Sequence, residues 1–217
     1  MKIFCIGYNK TGSTSLFYSI KSLGFKVDDG IFGEGERLMH NVYKGDLESV
    51  TNWIELRNHV ELFKDVPLSV PHVWEALYKK YPNAIYILGE RDSSEQWYNS
   101  IYKFHIAAFG LSPNPDWEEI KNIKYNYTRN DGKGGFLYDY MSYTYGKEGL
   151  PYDKDKLINS YEAHNKKVKE FFKDKNNFIS VNVSNDNDYL KLCSFLGKEP
   201  KGNSFPRTKI TNDKSTW

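Results

Sequence analysis

The 217-residue sequence predicts a three-layer α/β/α domain, with a central parallel sheet of about five strands and helices on both faces. Three observations carry this expectation. Short apolar runs closed by glycine, proline or a charge alternate with longer segments whose apolar residues recur at helical spacing, the pattern of strand–helix–strand crossovers. The chain is long enough to bury one substantial core and has neither internal repeats nor low-complexity tracts, so residues 1–217 read as one domain. The strongest apolar run, AIYILGE (84–90), reads as a strand buried within such a sheet.

The elements follow in order. KIFCIG (2–7) is a strand ended by glycine, and STSLFYSIKSLG (13–24) a helix with Leu16, Ile20 and Leu23 on one face and glycine as its stop. FKVD (25–28) reads as a second strand, LESVTNWIELRN (47–58) as a helix, and VELFKDV (60–66) as a third strand closed by Pro67. PHVWEALYKKYP (71–82) is helical, residues 84–90 are the fourth strand, and a helix spans about 95–109. A lysine-rich helix (156–172), a fifth strand NFISVNV (177–183) and a short helix NDYLKLCSFLG (187–197) complete the pattern. Residues 110–153 differ, with glycines, prolines, Trp117 and many tyrosines but little periodicity. A compact domain rarely carries so long a loop without a use. This insertion is either a lid or acceptor-binding wall with aromatic faces, or a tyrosine-rich surface excursion with some helix of its own.

Composition narrows the function. A formal net charge of +2 is too mild for a protein that tracks a nucleic-acid backbone, so any anion site is local. Cys5 and Cys193 give neither a disulfide framework nor metal-ligand spacing, which fits a reducing compartment. The start of the chain, with one lysine and a short apolar run, reads as neither a signal peptide nor a membrane span. A cytoplasmic protein, without membrane or nucleic-acid partners, is expected.

The chemistry gathers in IFCIGYNKTGSTSLFYSI (3–20). Gly7 and Gly12 have the spacing of the nucleotide loop G-x-x-x-x-G-K-[ST], and Thr14 occupies its hydroxyl position, but Ser13 stands where that loop has lysine. The lysine has moved to Lys10. In a triphosphate loop the lysine spans the β- and γ-phosphates and the next hydroxyl holds magnesium. Without it there, the loop suits a shorter anion, bound by the backbone N–H groups of about residues 11–15 and by the positive end of the following helix. Lys10 can then meet a bridging or leaving oxygen. The alternative is that the glycines serve only a tight turn, with Ser13 or Thr14 as N-cap.

KTGSTSL resembles the 5′-phosphosulfate loop of sulfotransferases that use 3′-phosphoadenosine 5′-phosphosulfate (PAPS), a P-loop NTPase-like fold. YPNAIYILGERDSSEQWYNSI is similar to the family's second signature, in which a buried strand delivers an arginine and the next helix a serine to the donor's 3′-phosphate. SYEAHNKKVKEFF, which contains His164 and Asn165, and LKLCSFLGKEPKGNSFPR resemble the C-terminal half of a branch of the family, so the likeness runs nearly end to end. It implies a transferase with PAPS as donor and 3′-phosphoadenosine 5′-phosphate (PAP) as product, needing no metal. The implied donor-binding residues are Lys10, Thr11, Gly12, Ser13, Thr14, Ser15, Arg91 and Ser100. Arg207, in a short basic tail with Lys209, would clamp the 3′-phosphate or be solvated.

Arg91 directly follows a buried strand, at the sheet edge where open α/β sheets bind ligands, and its planar fork suits a phosphate monoester. It can instead pair with Asp92 or Glu95. The spacing from Arg91 to Ser100 is one residue longer than the family's, so either the DSSE turn absorbs the extra residue, or Asn99 or Ser94 takes the role. For the base, Asp65 in LFKDVP stands where the cytosolic branch has the histidine of K-T-H-L-P. Partly desolvated, it could take the acceptor's proton, since burial raises a carboxyl pKa. It can equally cap a turn or pair with Lys64 or Lys10. Glu34, Glu36 and His40 are the reserve candidates, whereas His59, His72 and His105 read as structural. The acceptor is expected to be a small molecule or glycan, sulfated on a hydroxyl or amine by in-line displacement. The competing readings are a non-catalytic nucleotide- or glycan-binding protein of the same fold and, against the serine at position 13, a P-loop nucleotide kinase.

Overall fold

The computed structural model describes residues 1–28, 32–123 and 135–206. In chain order its elements are β1 (Ile3–Cys5), α1 (Ser13–Ser22), α2 (Phe32–Tyr43), α3 (Glu48–Glu55), β2 (Leu62–Phe63), α4 (Val73–Lys80), β3 (Ile85–Glu90), α5 (Ser94–Phe109), α6 (Trp117–Asn122), α7 (Phe136–Tyr145), α8 (Lys154–Phe172), β4 (Phe178–Asn182) and α9 (Asp186–Phe195). The strands form one parallel sheet in the order β2-β1-β3-β4, with Ile3 opposite both Leu62 and Ile85, and Tyr86 opposite Phe178. From β1 the chain goes first to β2 on one side and then to β3 and β4 on the other. The strand order therefore reverses at β1, and the crevice beyond its carboxyl end is the expected ligand position.

The period-2 alternation of the strands divides the apolar residues between two cores. Ile3, Cys5, Leu62, Ile87, Ile179 and Val181 pack with Leu16, Phe17 and Ile20 of α1 and Leu192 and Cys193 of α9. Phe4, Ile6, Phe63, Tyr86 and Leu88 face the opposite way, into a larger core with Met39, Trp53, Trp74, Trp97, Tyr140, Tyr161 and Phe172, contributed by α2, α3, α4, α5, α7 and α8. Helices thus cover both faces, and the architecture is the expected three layers.

The sheet has four strands, where about five are expected. The missing one is FKVD. Phe25 bonds back to the end of α1 (Phe25 N–H to Ile20 O, 3.4 Å), and Lys26 meets the next segment through one backbone bond (Glu61 N–H to Lys26 O, 2.8 Å) and one side-chain bond to Glu61. A single backbone pairing makes no ladder. β2 is also shorter than the seven residues expected, because Asp65 adopts a left-handed conformation (φ 59°) that ends the extended run before Pro67. α2 had no sequence reading as a helix; its glycines at 33 and 35 obscure the helical pattern. Gly35 is needed for packing, since a Cβ there would lie 2.1 Å from the Val66 carbonyl oxygen.

Within 110–153 the described residues form two helices. α7 buries Phe136, Leu137, Tyr140, Met141 and Tyr145 in the larger core. Asp139 bonds His40 Nδ1 at 3.0 Å and so ties α7 to α2. Among the described residues no helix is long and apolar enough to cross a membrane.

The end of β1 lies against the end of β3 with no room for a side chain. A Cβ on Gly7 would meet the backbone O and N of Gly89 at 2.6 and 2.7 Å. Gly7→Ala is accordingly expected to destabilise the protein by about 1–3 kcal/mol, the usual cost of overpacking. Gly202→Ala, where a Cβ meets nothing within 4 Å, should shift the urea midpoint by no more than about 0.5 kcal/mol equivalent.

Candidate active site

Four strand ends supply the site. The loop after β1 runs from Gly7 to Gly12 and enters α1 with Gly12 as N-cap at φ 89°, and no side chain caps the helix. Ser13 and Thr14 are therefore not capping hydroxyls, and the first-turn amides of α1 have no intrahelical acceptor, as at every helix start. Gly12 is fixed from β4's side, where a Cβ would lie 2.2 Å from Val183 Cγ2. Thr11 is buried and donates its hydroxyl to the Tyr8 carbonyl at 2.8 Å. Its side chain thus clips the loop.

Lys10 also has a left-handed backbone, at φ 69°. Its carbonyl accepts from Arg91 Nε at 2.7 Å, and its ammonium sits 3.7 Å from the centre of the Phe104 ring of α5. Arg91 is thereby joined to the loop, and the acids expected as its alternatives are engaged elsewhere. Asp92 accepts from Gln96 and Asn182, and Glu95 pairs with Lys154. The bond to Lys10 engages one edge of the guanidinium. Arg91 also borders an open groove of about 560 Å³ lined on the α8 side by Tyr161, Glu162, Asn165, Lys166, Lys169 and Glu170. Tyr161 fixes the arginine's backbone, its hydroxyl accepting from Arg91 N–H at 3.0 Å. Burial lowers the guanidinium pKa below its usual value, but arginine remains cationic.

The three candidates for the serine's role separate by helix phase. Ser94 donates to Glu162 at 2.6 Å, and Asn99 reaches Glu95 at 3.4 Å. Ser100 lies on the stripe between Trp97, whose indole N–H donates to the Asn9 carbonyl at 2.9 Å, and Phe104 against Lys10. Both neighbours on its face touch the loop. Arg207 lies outside the described residues.

Asp65 is close to the loop but is not an idle carboxylate. Ser13 Oγ donates to its Oδ1 at 2.6 Å, and Lys64 Nζ donates to Oδ2. Burial pushes the Asp65 carboxyl up, but the charge of Lys64, the bonds from Lys64 and Ser13, and the charge of Lys10 outweigh it and hold the group below its usual value. The expectation that desolvation raises this pKa is thus reversed. The cause is Lys64, whose side chain is only 6% exposed; its pairing with Asp65 is one of the alternatives expected from the sequence. Of the reserve candidates, Glu34 accepts from Trp53 Nε1 and Arg57, and His40 is bonded to Asp139. Glu36 follows Gly35, where α2 presses on the Val66 carbonyl beside Asp65.

Two histidines are structural. His164 Nε2 donates to the Ile6 carbonyl at 2.9 Å and its ring stacks on Tyr8 at 4.3 Å, pinning the end of β1 from α8. Buried His105 bonds Tyr152 at 2.8 Å through Nδ1. Neighbouring Asn165 is buried beside Tyr161. Cys5 is buried, and that burial pushes its thiol up to about 12, so it is no nucleophile at neutral pH.

A parallel sheet whose switch-point loop joins an open helix start to a lysine and a strand-end arginine is the arrangement of a P-loop-like α/β fold. A family model described as a sulfotransferase domain matches residues 2–214, and the chain belongs to that family. No curated protein sequence matches it. Membership supports a transferase that moves a sulfuryl group.

Burial pushes His164 down to about 4 and His105 to about 3. Both stay neutral in the fold, while the unfolded chain protonates them near the ordinary 6.5. Stability is therefore complete above pH 6.5 and falls on acidification toward pH 4, by up to about 1.4 kcal/mol per pH unit for each histidine. Thermal unfolding at pH 7, 5.5 and 4.5 should show this decline. His164→Gln, which keeps an N–H for the Ile6 carbonyl, should show a shallower one.

Proposed function

We propose that this protein transfers a sulfuryl group from PAPS to a hydroxyl or amine of a small-molecule or glycan acceptor, by in-line displacement, and releases PAP. The observation that carries the reading is one loop that combines uncapped first-turn amides of α1, the Lys10 ammonium and a carbonyl bond to Arg91. These residues fit a compact phosphosulfate and, one residue past β3, a second phosphate. When bound, the donor supplies the activated sulfuryl group and a phosphate leaving group. The chain supplies positioning and charge. The amides of Ser13, Thr14 and Ser15, together with Gly12 and Thr11 backbone, hold phosphate oxygens, and Lys10 offsets the charge that grows on the bridging oxygen. Arg91 and Ser100 take the 3′-phosphate, with Arg207 as a further contact from the C-terminal tail.

Asp65 is the proposed base, ionised at neutral pH and held still by Ser13 and Lys64. Its low pKa makes it a weak base, so its contribution rests on orientation rather than proton affinity. α7, whose Tyr140 lies near enough to feel the charge of Asp65, is the proposed acceptor wall. Two buried free cysteines fit a cytoplasmic setting. A second reading, PAP binding without turnover, is favoured by one observation: both Asp65 oxygens already have donors.

Calorimetry with PAP should give binding that Lys10→Ala and Arg91→Ala each weaken at least about tenfold, the cost of a lost charged hydrogen bond. Equal affinity for plain 5′-AMP would overturn the 3′-phosphate assignment. Asp65→Asn tolerates the left-handed backbone and separates the two roles of this residue. With labelled donor and a panel of phenols, sugars and amines, a base predicts a loss in kcat of about 10²–10⁴ with PAP affinity retained. Loss of PAP affinity instead would make Asp65 only a prop for Ser13.

A further inference from the structure

We infer that Phe104 is a positioning residue for Lys10, its ring holding the ammonium over the phosphate loop before the donor arrives. This rests on the sulfotransferase reading and deepens it. A lysine on a flexible four-carbon stem has many rotamers, and an ammonium free to swing into solvent would have to be collected at each encounter. Here both ends of the residue are fixed. Its carbonyl is held by Arg91 Nε at 2.7 Å, and its ammonium lies 3.7 Å from the Phe104 centroid, well inside cation–π range. The backbone between them is left-handed at φ 69°, a conformation lysine adopts only when its surroundings enforce it. Trp97, two turns earlier on the same helix face, fixes that face to the loop through the Asn9 carbonyl, so the ring's position is not accidental to α5.

The ring takes one side of the ammonium and leaves N–H donors directed away from it. The charge stays near the loop, since it helps lower the pKa of both Asp65 and His105. Lysine has no such partner in a residue lacking a π face, and an apolar side chain of the same bulk would fill the space without the attraction. Holding the cation there favours an anion bound at the loop, whereas a ring that merely sequestered it would compete with that anion. The two have opposite signs.

The test replaces Phe104 with 4-fluoro-, 3,5-difluoro- and 3,4,5-trifluorophenylalanine, which keep the ring's shape and progressively remove its negative face. PAP affinity is measured by calorimetry, with adenosine 3′-phosphate as the ligand lacking the 5′-phosphate that Lys10 would meet. The expected result is a stepwise loss of PAP affinity, about two- to thirtyfold over the series, with affinity for adenosine 3′-phosphate unchanged. Phe104→Trp should retain affinity and Phe104→Leu lose it. A flat series, a rise in PAP affinity, or an equal loss for both ligands would overturn the inference while leaving the sulfotransferase reading intact. Failure of the unsubstituted protein to bind PAP would sink that reading, and this inference with it.

Discussion

The candidate site depends on how closely the end of β1 can approach the end of β3. Gly7 rests on the Gly89 backbone, and Gly89 in turn leaves only enough space for Thr11, whose Oγ1 would be 2.8 Å from a Cβ at position 89. Each contact is between chain segments with no side chain to spare. Widen either by a methyl group and the loop moves away from Arg91, whose bond to the Lys10 carbonyl is only 2.7 Å long. Val183, just beyond β4, closes the third side against Gly12. The loop is thus shaped by all the strands to its right in the sheet, while β2 on its left contributes Asp65. A left-handed conformation that costs energy at Lys10 and Asp65 is maintained because neighbouring strands leave no alternative.

A carboxylate beside the proposed anion site needs explanation. An isolated Asp65 would repel a phosphosulfate and would itself resist burial. Lys64 changes both terms. Buried next to Asp65, it neutralises the carboxylate locally, and Ser13 satisfies the second oxygen. What the loop then presents is the charge of Lys10 and Arg91 and the start of α1, with the Asp65 charge offset by Lys64. The same pairing holds Ser13 in place. Asp65 therefore joins the ends of β1 and β2.

Much of this was legible in the sequence, for identifiable reasons. β1, β3 and β4 are read correctly because their apolar runs are bounded by glycine or charge. The loop is legible because glycine spacing and a displaced lysine are local features, visible within a dozen residues. FKVD misled because apolar alternation says nothing about whether a partner strand offers a second hydrogen bond. α2 was hidden by glycines kept for packing on Val66 rather than for turning the chain. The Lys64–Asp65 pair, between neighbours in sequence, was among the alternatives read for that carboxylate, whereas Phe104 was missed because it acts on Lys10, a partner distant in sequence. A pair across the fold leaves no spacing to read.

The extra residue between Arg91 and Ser100 shows why helix phase matters more than separation along the chain. Beyond β3 the chain turns at Asp92, where the backbone N–H donates to Gln96 Oε1 and the carboxylate accepts from Gln96 Nε2, and Ser93 caps the helix by accepting from Gln96 N–H. One glutamine therefore fixes where α5 starts. A residue added before that cap lengthens the turn and leaves the helix unrotated, whereas one added after it would turn every later side chain by about 100°. Because Trp97 is anchored to Asn9, positions three and seven residues further on must face the same loop. Those positions are Ser100 and Phe104. Counting from the anchored tryptophan rather than from the arginine accounts for the longer spacing without moving either residue from the site.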